Sequence, residues 1–316
     1  MKLQHYEIIN NEIINKFKNL KKKYPERFEN RLKFSWSNWG FGIEPLKESA
    51  KRLNKYGIRY IELHGNRYGK DLGYKVSDVK KILSHYGIEI AGICGMFSKD
   101  NDLSSNKPII RQNAIDYIRR NLEMGKELKA KYFLIVPGAV GRPEPYDDMK
   151  FYRSVETLKI VANEFKNADI RGAVEPIRSA EVSFCHTFSD AKRYIEAVDS
   201  PGIRHINGDV YHMLVEESHI GKAIIDAEGM LTNLHMADTN RDALGRGMLD
   251  IDIIIMALYI IGYNSDEACF VTPEPLGQGG DPYPAMYGKP TPSKLDNLVK
   301  ESVEYFKERE EEILNL

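Results

Sequence analysis

Cysteine is scarce in this chain: Cys94, Cys185 and Cys269 are the only three in 316 residues, and they stand far apart. An odd, dispersed set with no CxxC pair argues against a disulfide framework and against a sulfur-rich structural zinc site. Charge of one sign is also missing. Lys and Arg number 45 and Asp and Glu 46, for a formal net charge of −1, so nothing recommends nucleic acid or an anionic membrane surface as a partner. No apolar run approaches the roughly 18 residues needed to cross a bilayer. The opening MKLQHYEIINNEIINKF lacks the compact apolar core and small-residue cleavage site of a secretory signal. These absences together set the expectation of a cytoplasmic protein. A further absence concerns fold: no GxGxxG follows the first candidate strand, which counts against a dinucleotide-binding open sheet.

What is present is an alternation. Short apolar runs at 31–37, 58–63, 88–94, 131–136, 171–175, 204–209, 231–235 and 269–274 read as strands. Helix-like stretches lie near 45–56, 76–86, 108–129, 149–167, 188–198, 214–226, 250–262 and 293–313. Strands alternating with helices imply a parallel sheet covered by helices, and eight such units suffice to close a (β/α)₈ barrel. A barrel of this kind takes about 250 residues, so a single barrel over 31–316 fits the length. The polar, helix-forming segment 1–30, with its KKKYPER run, reads as an N-terminal helical arm outside the barrel. The tail EREEEILNL reads as the solvated end of the last helix.

The chemistry resides in the second half. Glu175 in AVEPIRSAE, Asp209 in INGDVYHM, His235 in LHMADTNR and Glu274 in VTPEPLGQGG each close or follow a candidate strand and precede a loop and a helix. In a (β/α)₈ barrel the C-terminal strand ends converge on one mouth, so residues 34, 26 and 39 positions apart can surround one ion. Any one acidic residue at a strand end is more often a helix cap or a surface group; the repetition carries the signal. Three carboxylates and one imidazole suit Mn²⁺, with Mg²⁺ or Co²⁺ as alternatives, better than a structural zinc. Such an ion polarises a carbonyl as a Lewis acid, and a sugar with neighbouring oxygens would suit it.

The pattern resembles the xylose isomerase-like sugar isomerase/epimerase superfamily, in particular the ketose 3-epimerases of the tagatose and psicose type. That family has Glu, Asp, His and Glu ligands at the ends of strands five to eight. It also has a Glu six after the first ligand, a His three after the Asp and an Arg six after the His. All of these positions match here: Glu175, Glu181, Asp209, His212, His235, Arg241 and Glu274. The resemblance implies that Glu175 and Glu274 are both ligands and an acid/base pair, that His212 moves or stabilises charge, and that Glu181 and Arg241 hold the carbonyl end of the sugar. On the first strands, Trp36 and His64 are taken as substrate contacts, with Trp39 and Asn66 beside them. Glu62 faces either the pocket or a neighbouring helix. Met236, Met248, Cys94 and Cys269 read as packing residues.

Two features depart from the epimerase pattern: the arm of about 30 extra residues before strand one, and the Gly- and Pro-rich segment PLGQGGDPYPAMYGKP after Glu274, with Tyr283 and Tyr287. Both look like the catalytic subunit of C-glycoside deglycosidases, which eliminate the aglycone from a 3-oxo-C-glycoside and work with a small β-rich partner. The leading expectation is therefore a metal-dependent carbon–carbon lyase on 3-oxo-C-glycosides, with such a partner subunit, a homo-oligomer, or both. The alternative is a ketose 3-epimerase using the same metal site. An inosose dehydratase belongs to the same chemical class. An endonuclease relative would need a histidine-rich, multi-zinc site, and only one His stands in the ligand set. A non-enzymatic sugar-binding barrel would be expected to lose ligands, and none is lost.

Overall fold

The structure is a computed structural model and describes residues 2–65, 74–281, 285 and 287–316. Among these residues, seven strands form one sheet in sequential order, each parallel to the next: β1 (Tyr60–His64), β2 (Glu89–Cys94), β3 (Tyr132–Ile135), β4 (Arg171–Val174), β5 (Ile203–Asp209), β6 (Leu231–Met236) and β7 (Phe270–Pro273). The eighth position belongs to the segment expected as strand one. It is extended and pairs on both sides without forming a regular strand. Phe34 bridges Val271 and Ser37 bridges Glu62, both parallel. The Ser35 amide donates to the Val271 carbonyl at 2.8 Å and the Glu62 amide to the Trp36 carbonyl at 2.9 Å. These few bonds join β7 to β1 and close the barrel, as the expected (β/α)₈ class requires. A 3₁₀ turn over Asn38–Phe41 follows at once, leaving no length for a longer ladder.

Helices cover the outside: α1 (His5–Lys23), α2 (Leu46–Lys55), α3 (Val76–Tyr86), α4 (Pro108–Leu128), α5 (Lys150–Ala168), α6 (Phe188–Val198), α7 (Val210–Glu216), α8 (Ile220–Ala227), α9 (Ile251–Ile260) and α10 (Pro292–Leu314). Their starts follow local chemistry. Pro occupies the first helical position of α4 and α10, where its missing N–H is no loss. Thr187 and Asp190 form a reciprocal capping box on α6. The single helix expected over 214–226 is instead the pair α7 and α8. His219 adopts an extended conformation and accepts from the Lys222 amide as the N-cap of α8, which ends α7 and starts a new helix.

The arm has a packing reason. Nine of the ten residues of α9, IDIIIMALYI, are buried, so this helix is apolar nearly all round and needs cover on its outer side as well. Helix α1 supplies that cover by burying Ile13 and Phe17. Phe17 meets Tyr259 edge-on at 6.3 Å, and Phe28 stacks on the same ring at 5.6 Å. Asn264 donates to the Arg27 and Asn30 carbonyls at 2.8 and 2.9 Å, pinning the chain where it turns toward the barrel. Among the described residues, no helix is long and apolar enough to cross a membrane.

Candidate active site

The four residues proposed as ligands meet at the C-terminal end of the sheet, and all are buried. Glu175 and Glu274 lie one residue past β4 and β7, Asp209 ends β5 and His235 is the penultimate residue of β6. His235 Nδ1 stands 3.6 Å from Glu175 Oε1 and 3.4 Å from Glu274 Oε2. Glu175, Asp209 and His235 each offer a donor atom within 4.8 Å of the other two. The Asp209 carboxylate also caps α7 by accepting from the Tyr211 amide at 2.8 Å. Gly208 lets β5 deliver it: a Cβ there would come within 2.8 Å of the Phe188 ring and 2.9 Å of Leu234.

The electrostatics show a site short of positive charge. Burial raises the Glu175 carboxyl above its ordinary range, against the opposing pull of His235. Burial pushes Glu274 up to about 8, with Asp209 and Glu175 adding repulsion. Asp209 is raised by burial too, but His212, Arg241 and His235 outweigh it and hold the group below the usual carboxylate range. Burial disfavours charge on His235, yet Glu274 and Glu62 raise its affinity for a proton well above normal. Carboxylates crowded in a buried cluster are stabilised by a multivalent cation, so the donor set fits a divalent ion, which Glu175, Asp209, His235 and Glu274 would hold.

Behind the ligands lies a hydrogen-bonded layer in which Glu62 has the central place. Its oxygens lie 2.9 and 3.0 Å from His235 Nε2, so Nε2 carries a hydrogen donated to Glu62 and Nδ1 is the nitrogen turned toward the cluster, where it would meet an ion. Tyr132 donates its hydroxyl to Glu62 at 2.8 Å. Burial, with Glu62 beside it, raises that phenol well above its ordinary value, keeping it protonated as a donor. Asn207 donates to Glu175 at 3.0 Å and accepts from Asn233 at 2.7 Å, and Thr272 donates to Asn233 at 2.6 Å. Glu62 therefore faces the pocket side rather than a helix. Asn207, Asn233 and Tyr132 carry no signal in the sequence beyond being polar residues in strands, and strand polarity toward a barrel interior is the one clue that could have found them.

A cavity of about 350 Å³ opens above the cluster, lined on its polar side by Glu175, Glu181, Asp209, His212, His235, Arg241 and Glu274, and on its apolar side chiefly by Met96, Phe97, Val136, Val140 and Ile177. His212 Nε2 is 3.2 Å from Asp209. Arg178 donates to Glu181 at 2.5 Å and to the Tyr211 hydroxyl at 3.0 Å. His64 and Tyr287 also line the cavity; Asn66 and Tyr283 lie outside the described residues.

Several expectations need correction. Trp36 is absent from the cavity wall: it is buried and stacks on Phe41 at 6.0 Å. The turn at Asn38–Phe41 brings Trp39 to the cavity instead, where its indole N–H donates to the Glu274 carboxylate. Cys94 is small and buried, but it also lines the cavity, its sulfur lies within 4.8 Å of donor atoms of Glu62 and His235, and burial holds the thiol well above its ordinary pKa. Met248 does not pack, being 87% exposed, whereas Met236 and Cys269 are buried as expected.

Comparison with known proteins agrees with this architecture. The chain is 27% identical to the ketose 3-epimerase of Arthrobacter globiformis over 226 residues, covering 71% of this chain and 76% of that protein. It is 26% identical to the 3-dehydro-D-guloside 4-epimerase of Escherichia coli K12, covering 73% and 89%. A solved L-ribulose 3-epimerase superposes with a TM-score of 0.78 at 20% identity, covering 90% of this chain and 96% of that one; at that identity the likeness speaks for the fold. Residues 50–309 match the xylose isomerase-like TIM barrel, and the chain belongs to that family.

Proposed function

We propose that this protein is a divalent-metal-dependent sugar epimerase, removing and returning a proton on the carbon beside the ketone of an oxo-sugar. One observation carries the reading: Glu175 and Glu274, both buried, flank the same His235 nitrogen at the cavity floor. Two carboxyl groups facing one cavity can serve as base and acid, and epimerisation needs one group to take the proton and another to return it. The ion, which we take as Mn²⁺, would supply Lewis-acid polarisation of the carbonyl next to the reacting carbon. The chain's own groups do the rest. Trp39 orients Glu274 through its N–H. Arg241, Glu181 and His212 present polar atoms at the cavity wall where sugar oxygens bind, and the apolar wall keeps bulk water from the deprotonated carbon.

The named relatives are epimerases, and this moves the weight from carbon–carbon cleavage to epimerisation. Of the two features that favoured cleavage, the arm contributes no residue to the cavity among the described residues and is explained by the cover it gives α9. The loop after Glu274 still separates the two reactions, since it borders the cavity through Tyr287.

The test is to incubate the full chain with Mn²⁺ in D₂O, supplying D-psicose, D-tagatose, L-ribulose, a 3-oxo-O-glycoside and a 3-oxo-C-glycoside separately. An epimer carrying deuterium at the inverted carbon, from a ketose or from the O-glycoside, is the expected product. Release of aglycone from the C-glycoside without epimerisation of any other substrate would overturn the reading, and dependence of that release on a co-expressed small protein would identify the two-subunit lyase.

A further inference from the structure

We propose that Asp238 is a positioning residue that sets the backbone and side chain of Arg241 for substrate. The proposal rests on the reading of Arg241 as a contact to the sugar. Arg241 is buried, and its Nε and Nη1 have no hydrogen-bond partner among the described residues. A guanidinium normally uses its forked donors, and the open space beside these is the cavity, which Arg241 lines. The guanidinium carbon lies 4.1 Å from the Tyr211 ring and 5.7 Å from the Trp39 ring, so stacking on aromatic faces holds its plane while donors remain free for a ligand.

The backbone at this point is held against its own preference. Arg241 has φ of 57°, a left-handed conformation disfavoured for a residue with a Cβ unless the surroundings impose it. Asp238 is the group that imposes it. Its side chain is buried, and among the described residues its acceptor bonds come from backbone amides. Oδ1 accepts from Thr239 at 2.8 Å and from Leu249 at 3.2 Å, while Oδ2 accepts from Gly245 at 2.9 Å. One carboxylate thus gathers amides from three places along the loop that follows β6. The main chain of Asp238 completes the turn: its carbonyl accepts from the Arg241 amide at 2.8 Å and its amide donates to the Asp242 carbonyl at 3.2 Å. Gly247 makes the approach possible, because a Cβ there would fall 2.0 Å from Asp238 Oδ1. The Arg241 carbonyl accepts from the Leu276 and Gly277 amides at 2.9 Å each. Asp238 therefore reaches, through one residue, both the free guanidinium donors and the start of the loop after Glu274. Its three side-chain partners are loop amides, so it acts on substrate through Arg241.

The experiment uses the full chain in a Trp36→Phe background, which leaves Trp39 as the sole tryptophan. Asp238→Asn, Arg241→Ala and the double variant are compared by Trp39 emission in metal-free protein and by kcat and KM with Mn²⁺ and whichever oxo-sugar the parent turns over. Asp238→Asn should move Trp39 emission in the same direction as Arg241→Ala. It should lower kcat/KM by about 10–100-fold, the scale of an ångström-sized misplacement. In the Arg241→Ala background it should add less than about twofold to the loss, because the two residues act as one unit. Losses that multiply, or Trp39 emission that Arg241→Ala moves and Asp238→Asn leaves alone, would overturn the proposal. A shared emission shift with undiminished kcat/KM in Arg241→Ala would keep the positioning role and reject the sugar contact. If Asp238→Asn does not fold, Asp238→Glu carries the test: it keeps the charge, displaces the acceptors, and should give the same emission shift at smaller size. Lower kcat/KM without that shift would count against the idea.

Discussion

The two halves of the barrel contribute differently to one cavity. From β4 onward, the strand ends deliver the charged groups: Glu175, Asp209, His235 and Glu274, with Glu181, His212 and Arg241 in the loops that follow. The half before β4 delivers walls and support. Met96, Phe97, Val136 and Val140 form the apolar side, while Glu62, itself held by the Tyr132 hydroxyl, supports His235 from behind. A ligand must reach the ion, whereas a supporting residue need only reach a ligand. The second kind of role can be filled from across the barrel by a strand with no ligand of its own. The chargeable groups are thus concentrated at a few strand ends and the loops that follow, and the residues that orient them are spread around the ring.

This contrast can be broken or sharpened by substitution. The largest effects belong to the second half. Glu175→Gln and Glu274→Gln keep side-chain shape and remove the proton-carrying group, and each should lower kcat by about 10²–10⁴-fold, measured at saturating Mn²⁺. If either keeps full turnover, the acid/base pair is wrongly assigned. The next effect belongs to the first half. Glu62→Gln should weaken metal binding by roughly 10–100-fold, as loss of a residue behind a ligand typically does, while kcat at saturating metal stays close to that of the parent. Titration calorimetry with Mn²⁺ beside steady-state kinetics separates the two quantities. A kcat loss as deep as that of Glu274→Gln would erase the distinction between the halves.

The smallest effect concerns stability, at a charge-capable residue of the second half that the cavity does not use. His205 on β5 has its pKa lowered from 6.5 to about 4 by burial, with Arg171 adding to the shift. The folded state therefore binds a proton less readily than the unfolded chain. The contribution of neutral His205 is fully present above pH 6.5 and is lost as the pH falls toward 4. His205→Gln cannot charge, so its melting temperature should fall less than that of the parent between pH 7 and 5, a difference on the order of 1 kcal/mol after solvent screening. Parallel melting curves would show that His205 makes no such contribution.

Much of this arrangement is legible in the residues alone, for reasons that differ by element. The candidate ligands are readable because each stands where an apolar run stops and a polar loop begins, and a parallel barrel brings all such points to one end. The cover of α9 by the arm is readable in retrospect: IDIIIMALYI has no polar face to give to water. Trp36 and Trp39 were not separable, since both stand at the end of the same extended run and only the 3₁₀ turn between Ser37 and Gly42 decides which indole meets the cavity. Glu62 had two faces open to it until the parallel bridge with Ser37 closed the barrel.

Strand and helix periodicity, together with residue type at strand ends, are local properties, so the sequence by itself determined the (β/α)₈ class, the mouth of the barrel and the four candidate ligands. What stands opposite what across the ring depends on register, and register is a property of pairs of strands. The sheet shifts register between Ile61 and Glu62 and again between Ile206 and Asn207, at the two residues that support His235 and Glu175. Only the tertiary structure decided that these side chains meet the ligands, because a one-residue change of register turns a side chain from one face of a sheet to the other.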